Sequence, residues 1–135
     1  MDTLDYFRND YDWKCVFAYA CGDHVSTCLG STVSPDPFTI DDVERVIAFD
    51  NGENDGASWI TILFLKDKRF AFLTAGCDYT GWGCQESGNA VISHNLINLL
   101  QFGLGLDDRQ RLYKALPNDI ITFYEECIKH PEHLE

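Results

Sequence analysis

Apolar positions near the N-terminus recur at helical spacing: DYDWKCVFAYAC sets Trp13, Val16, Phe17 and Ala20 on one face, with Asp10 or Asp12 placed to cap the start. This predicts a helix over 12–21. The next stretch, GDHVSTCLGSTVSPDPF, has turn-and-loop composition with one short extended piece near 25–29. A structureless run of that length inside a folded domain usually carries function or is disordered. FTIDD then offers one helical turn capped by Thr39.

From Val43 onward the period shortens. β-branched and aromatic runs separated by NGENDG and KDKR predict three strands, at about 43–51, 58–66 and 69–76, in an antiparallel meander. The middle run, WITILFL, is apolar at every position but Thr61, which predicts a strand covered on both faces. Helical spacing returns at 93–102, where Leu96, Ile97, Leu99 and Leu100 oppose Asn95, Asn98 and Gln101, with Ser93 as the expected cap and Gly103 as the stop. A helix over 107–116 follows, with Asp107 and Gln110 at capping-box spacing and Pro117 ending it. The last helix, over 119–130, has the clearest stripe, with Ile120, Phe123, Tyr124, Cys127 and Ile128 on one face and Pro131 beyond it. No repeat, low-complexity tract or linker divides these blocks. They predict one α+β domain over 1–135, a central meander covered by helices from both ends of the chain.

Composition narrows the function. At 135 residues, with 45% hydrophobic and 13% aromatic positions, the chain can build a core without metal or disulfide staples. Ten Lys and Arg against 22 Asp and Glu give a net charge of -12, which argues against direct binding to nucleic acid or anionic membranes. An acidic surface suits solubility, a basic protein partner, or mimicry of nucleic acid toward a protein that binds it. No apolar run approaches the roughly 20 residues of a membrane helix, and MDTLDYFRNDYD is acidic where a signal peptide is basic. A cytoplasmic location is the expectation, with the six cysteines as thiols.

Several residues could carry chemistry. NGENDG resembles the start of a calcium loop, but the twelfth position is Ile62 where such a loop needs a bidentate Glu, so a tight turn is the better reading. Cys21, His24 and Cys28, with Cys77 and Cys84, could supply zinc ligands if two loops met, although their spacing fits no tight knuckle. Cys77 or Cys84 with His94 is the candidate nucleophile–base pair, and Asp55 with Asp78 the candidate carboxylate pair. The densest chemistry is AGCDYTGWGCQESG, where glycines permit tight turning or close approach and Tyr79 and Trp82 offer stacking surfaces with polar tips.

The run GENDGASW, followed by LKDKRFAFLTAGCDYTGWGCQ and a short helix ending FGL, resembles a small family of uncharacterised bacterial and phage proteins that share a GENDGxxW turn and an AGCDYTGWxCQ loop. The resemblance covers about 13–112. The family pattern carries Asp before the second cysteine, where this chain has Gly83. The resemblance implies that the two motifs belong together and supplies no activity. Antiparallel pairing of 58–66 with 69–76 would bring both to one rim, gathering Asp50, Glu53, Asn54, Asp55 and Asp78 with Tyr79, Trp82 and Gln85. Such an acidic, aromatic patch suits a cationic group, a basic peptide or a sugar. The expected function is a small acidic binding or inhibitor protein of the phage anti-defence or immunity type. A hydrolase at the same rim and a zinc-stabilised module are the alternatives.

Overall fold

The computed structural model describes residues 2–22, 24–78, 81–82 and 86–129. A five-stranded sheet runs through the molecule in the order β1-β5-β4-β3-β2, with β1 at Val25–Thr27, β2 at Val43–Asp50, β3 at Trp59–Leu65, β4 at Phe70–Cys77 and β5 at Glu86–Ser93. The expected meander is β2–β3–β4, antiparallel throughout. Two strands extend it: β5 pairs antiparallel with β4 over eight positions, and β1 lies parallel to β5, so the sheet is mixed.

Alternation along the central strands sorts side chains to two cores. Trp59, Leu63 and Leu65 of β3, with Ala71, Leu73 and Ala75 of β4, join Phe7, Trp13, Val16 and Phe17 on one face. Those last four come from α1 (Thr3–Asn9) and α2 (Tyr11–Ala20). Ile60, Ile62 and Phe72 point the other way, into a second core with Ile97, Leu99, Leu112, Tyr124 and Cys127. That layer is α3 (Leu96–Phe102), α4 (Leu106–Tyr113) and α5 (Asn118–Lys129). WITILFL is therefore buried on both faces, with Phe64 its one half-buried position. Among the described residues no helix is long and apolar enough to cross a membrane.

Two local expectations need correction, and one element is new. Ser93 does not cap α3: it ends β5, and the cap is Asn95, whose Oδ1 accepts the N–H groups of Ile97 at 2.8 Å and Asn98 at 3.1 Å. Asp107 already lies inside α4, whose N-cap is Gly105, so no capping box forms with Gln110. The N-terminal segment, to which the sequence pattern assigns no element, folds as α1, because the Asp2 side chain accepts the Asp5 N–H and Phe7 is fully buried. Thr39 does cap its turn, a 3₁₀ helix over Ile40–Asp42, in a reciprocal capping box with Asp42.

β2 is irregular, with one extra residue between Val43 and Arg45 and another between Val46 and Ala48 relative to β3. The second bulge turns Ile47 and Ala48 toward the α3–α5 core while Val46 and Phe49 serve the other one. Thr61, the lone polar residue of the middle strand, is fully buried and donates its hydroxyl to the Ala48 carbonyl at 2.9 Å, beside this bulge.

Candidate functional site

The two motifs meet. In the β2–β3 connection Glu53 N–H donates to Ala57 O at 2.9 Å and Gly56 N–H to Glu53 O, closing a tight turn in which Asp55 takes the left-handed backbone (φ 57°) that Asp tolerates. Asp55 N–H then donates to Cys77 O at 2.9 Å, and the Cys77 thiol to Asn54 Oδ1 at 3.1 Å. The NGENDG turn is thus bonded to the end of β4, where AGCDYTGW begins.

A third element closes the site from the side. The first turn of α2 reaches both motifs: Trp13 Nε1 donates to Asn51 Oδ1 at 2.8 Å, and Trp82 Nε1 donates to Asp12 Oδ1 at 3.0 Å. Trp82 is half-buried, stacked on Tyr19 with ring centroids 5.8 Å apart and tilted against Trp59 at 5.3 Å. It is part plug and part wall. Its ring packs on the first core and also lines a cleft of about 410 Å³ with Tyr11, Asp12, Glu53, Asn54, Trp59 and Cys77. A second hollow of about 360 Å³, lined by Asp55, Ser58, Gly76, Asp78 and Ser87, adjoins the first at Cys77.

Glu53, Asn54, Asp55, Asp78 and Trp82 therefore share one rim, as the sequence predicts. Tyr79, Cys84 and Gln85 lie outside the described residues. Asp50 leaves the group: at the end of β2 its carboxylate takes Arg111 of α4, Nε to Oδ2 at 2.9 Å. Tyr11 and Asp12 are the site residues that sequence reasoning missed. Asp12 stood as an alternative helix cap, whereas Asp10 makes the cap by accepting the Trp13 N–H, and Tyr11 carried no signal of its own.

Register separates Cys77 from His94, while Cys84 lies outside the described residues. Phe70 pairs with Ser93 and Cys77 with Glu86, so Cys77 and His94 sit at opposite ends of the β4–β5 hairpin. Seven residue steps of about 3.3 Å put them on the order of 23 Å apart. His94 instead approaches Ser31, Nδ1 to Oγ at 2.9 Å.

The described members of the zinc set do not gather either. Cys28 N–H bonds Ile92 O near the His94 end, roughly 20 Å along the sheet from Cys77 by strand rise, and its thiol points to Asn98 O. Cys21 ends α2 within the first core, while His24 is exposed. Among the described residues no three His, Cys, Asp or Glu side chains are grouped to hold a metal.

Burial pushes the Cys21 thiol far above its ordinary value of 9.0, raises Cys28 in the same direction, and raises Cys15 against an opposing hydrogen bond from Tyr11. All three stay protonated at neutral pH, which makes them poor nucleophiles and poor metal ligands there. The linkage has a fixed sign. Above pH 9 the unfolded chain sheds these protons before the native one does, so the stability they contribute is intact below about pH 9 and is lost as pH rises further. Urea midpoints measured at pH 8 and pH 10 should fall with pH in the native sequence, and less steeply in Cys21→Ala. An equal fall in both would remove Cys21 as a source.

Comparison with models of known protein families, with curated sequences and with solved structures finds no match.

Proposed function

We propose that the protein is a small acidic binding or inhibitor protein, cytoplasmic and of the phage anti-defence or immunity type, which engages a basic protein partner through the rim at the NGENDG turn. The observation that carries this reading is the convergence of three separate chain segments, the turn, the end of β4 with Trp82, and the start of α2, on adjoining hollows at one rim. The NGENDG turn, bonded to the end of β4, presents its side chains in a set geometry, which lowers the ordering cost of association. Asp12, Glu53, Asp55 and Asp78 are the ionisable carboxylates lining these hollows, and no Lys or Arg lines either one among the described residues. With a net charge of -12 behind it, such a rim steers basic partners, including proteins that otherwise bind nucleic acid.

Capture from a host lysate on immobilised protein tests it. The native chain should retain a basic protein. Trp82→Ala and Asp55→Ala, with circular dichroism unchanged, should each reduce retention about tenfold or more, the size expected of an interface anchor. Retention unchanged in both variants would count decisively against the rim as the binding surface.

A further inference from the structure

The cleft beside Trp82 has features that select one kind of group within a basic partner, an inference that rests on the rim being a binding surface. Its lining joins three rings, Tyr11, Trp59 and Trp82, to the carboxylates of Asp12 and Glu53. Some acids elsewhere sit against arginines, Asp41 by Arg8, Asp67 by Arg69, and Asp50 and Asp108 by Arg111. Asp12 and Glu53 have no cation within ion-pair distance among the described residues. Two uncompensated charges in a concave space with aromatic walls give a focused negative potential.

The rings differ in what they offer. Trp82 already has two ring neighbours, stacked Tyr19 and tilted Trp59, and Trp59 itself is buried. Tyr11 is 68% exposed, so its face is open to a ligand. Asp12 spends Oδ1 on the Trp82 indole and keeps Oδ2. The arrangement is thus one open ring face beside two carboxylates, with a rigid apolar back wall.

We propose that this cleft receives one arginine side chain of the partner, its guanidinium held by Asp12 and Glu53 and its plane laid on Tyr11. A planar fork of five donors satisfies two carboxylates and stacks on an aromatic face in one pose, whereas a lysine ammonium meets only the charge. The methylene stem packs along Trp82 on the way in.

The test is an NMR titration of the full chain with N-acetyl-arginine methylamide, set against the lysine analogue and the neutral citrulline analogue. Arginine should shift the Trp82 indole N–H resonance saturably, lysine more weakly, and citrulline not at all. Glu53→Gln and Tyr11→Ala alter exposed side chains and should leave the fold intact while weakening the arginine response about fivefold or more each. Citrulline matching arginine, lysine matching arginine, or both variants titrating like the native chain would overturn the proposal. Rim-dependent partner capture with no arginine response sinks the arginine receptor alone. An arginine response with rim-independent capture sinks the binding-surface reading instead.

Discussion

Trp13→Ala is expected to cost about 3–5 kcal/mol, the range for removing a large aromatic side chain from a packed interior. The residue is fully buried, stacked on Phe7 with centroids 4.1 Å apart and edge-on to Phe49 at 5.9 Å. It therefore joins α1, α2 and β2 in one aromatic cluster. Its indole N–H also holds Asn51 at the entry to the NGENDG turn, so the damage extends from the core to the rim. Trp13→Phe keeps a ring against Phe7 but drops that hydrogen bond, and a smaller loss on the order of 1–2 kcal/mol is expected. Urea unfolding followed by far-UV circular dichroism gives both values. A loss under about 1 kcal/mol for the alanine variant would mean that the cluster does not hold these elements together.

Gly52→Ala is expected to be nearly as harmful, at about 3 kcal/mol, the upper end of what overpacking usually costs. A Cβ at this position would lie 2.4 Å from Ala57 O and 2.5 Å from Trp59 N. Both obstacles are backbone atoms, and a backbone cannot turn aside as a flexible side chain can. Relief requires the turn to open, which breaks the Glu53 N–H to Ala57 O bond and moves Asn54 and Asp55 off the end of β4. The variant should therefore lose stability and partner capture together. Gly88→Ala is a useful comparison, because its Cβ would meet Tyr19 O at 3.0 Å and Ala75 Cβ at 3.1 Å, contacts that shifts of a few tenths of an ångström in α2 and β4 relieve. If Gly52→Ala proved no worse than Gly88→Ala, the turn would be more pliable than its packing implies.

Much of this architecture is legible in the residues themselves. WITILFL announces a doubly covered strand because nearly every position is apolar, and the helical stripe at the C-terminal end announces α5 at Asn118–Lys129. β5 is harder to read. Its first half, Glu86 to Asn89, is polar with a glycine, and only Ala90, Val91 and Ile92 have strand character. What makes it a strand is β4, which supplies eight pairing positions, and β1 on its other side. Local propensity carries little of such information.

The site divides along the same line. The meeting of the NGENDG turn with the end of β4 follows from strand polarity, since an antiparallel pair brings the start of one strand beside the end of the next. The contribution of Tyr11 and Asp12 does not follow, because it depends on how α2 lies across the sheet. The Cys77–His94 pair fails for a related reason. The two residues flank one loop and strand in the sequence, but β5 extends between them and carries His94 to the far end.

The two bulges in β2 have a consequence at the margin of the sheet. A neighbouring molecule can add a strand only to an edge with evenly spaced donors and acceptors, and β2, the longer edge, is interrupted twice within eight residues. The opposite edge, β1, is three residues long. Neither border offers a template for edge-to-edge growth, so fibre-like stacking of the folded chain is disfavoured, and association can be left to side chains.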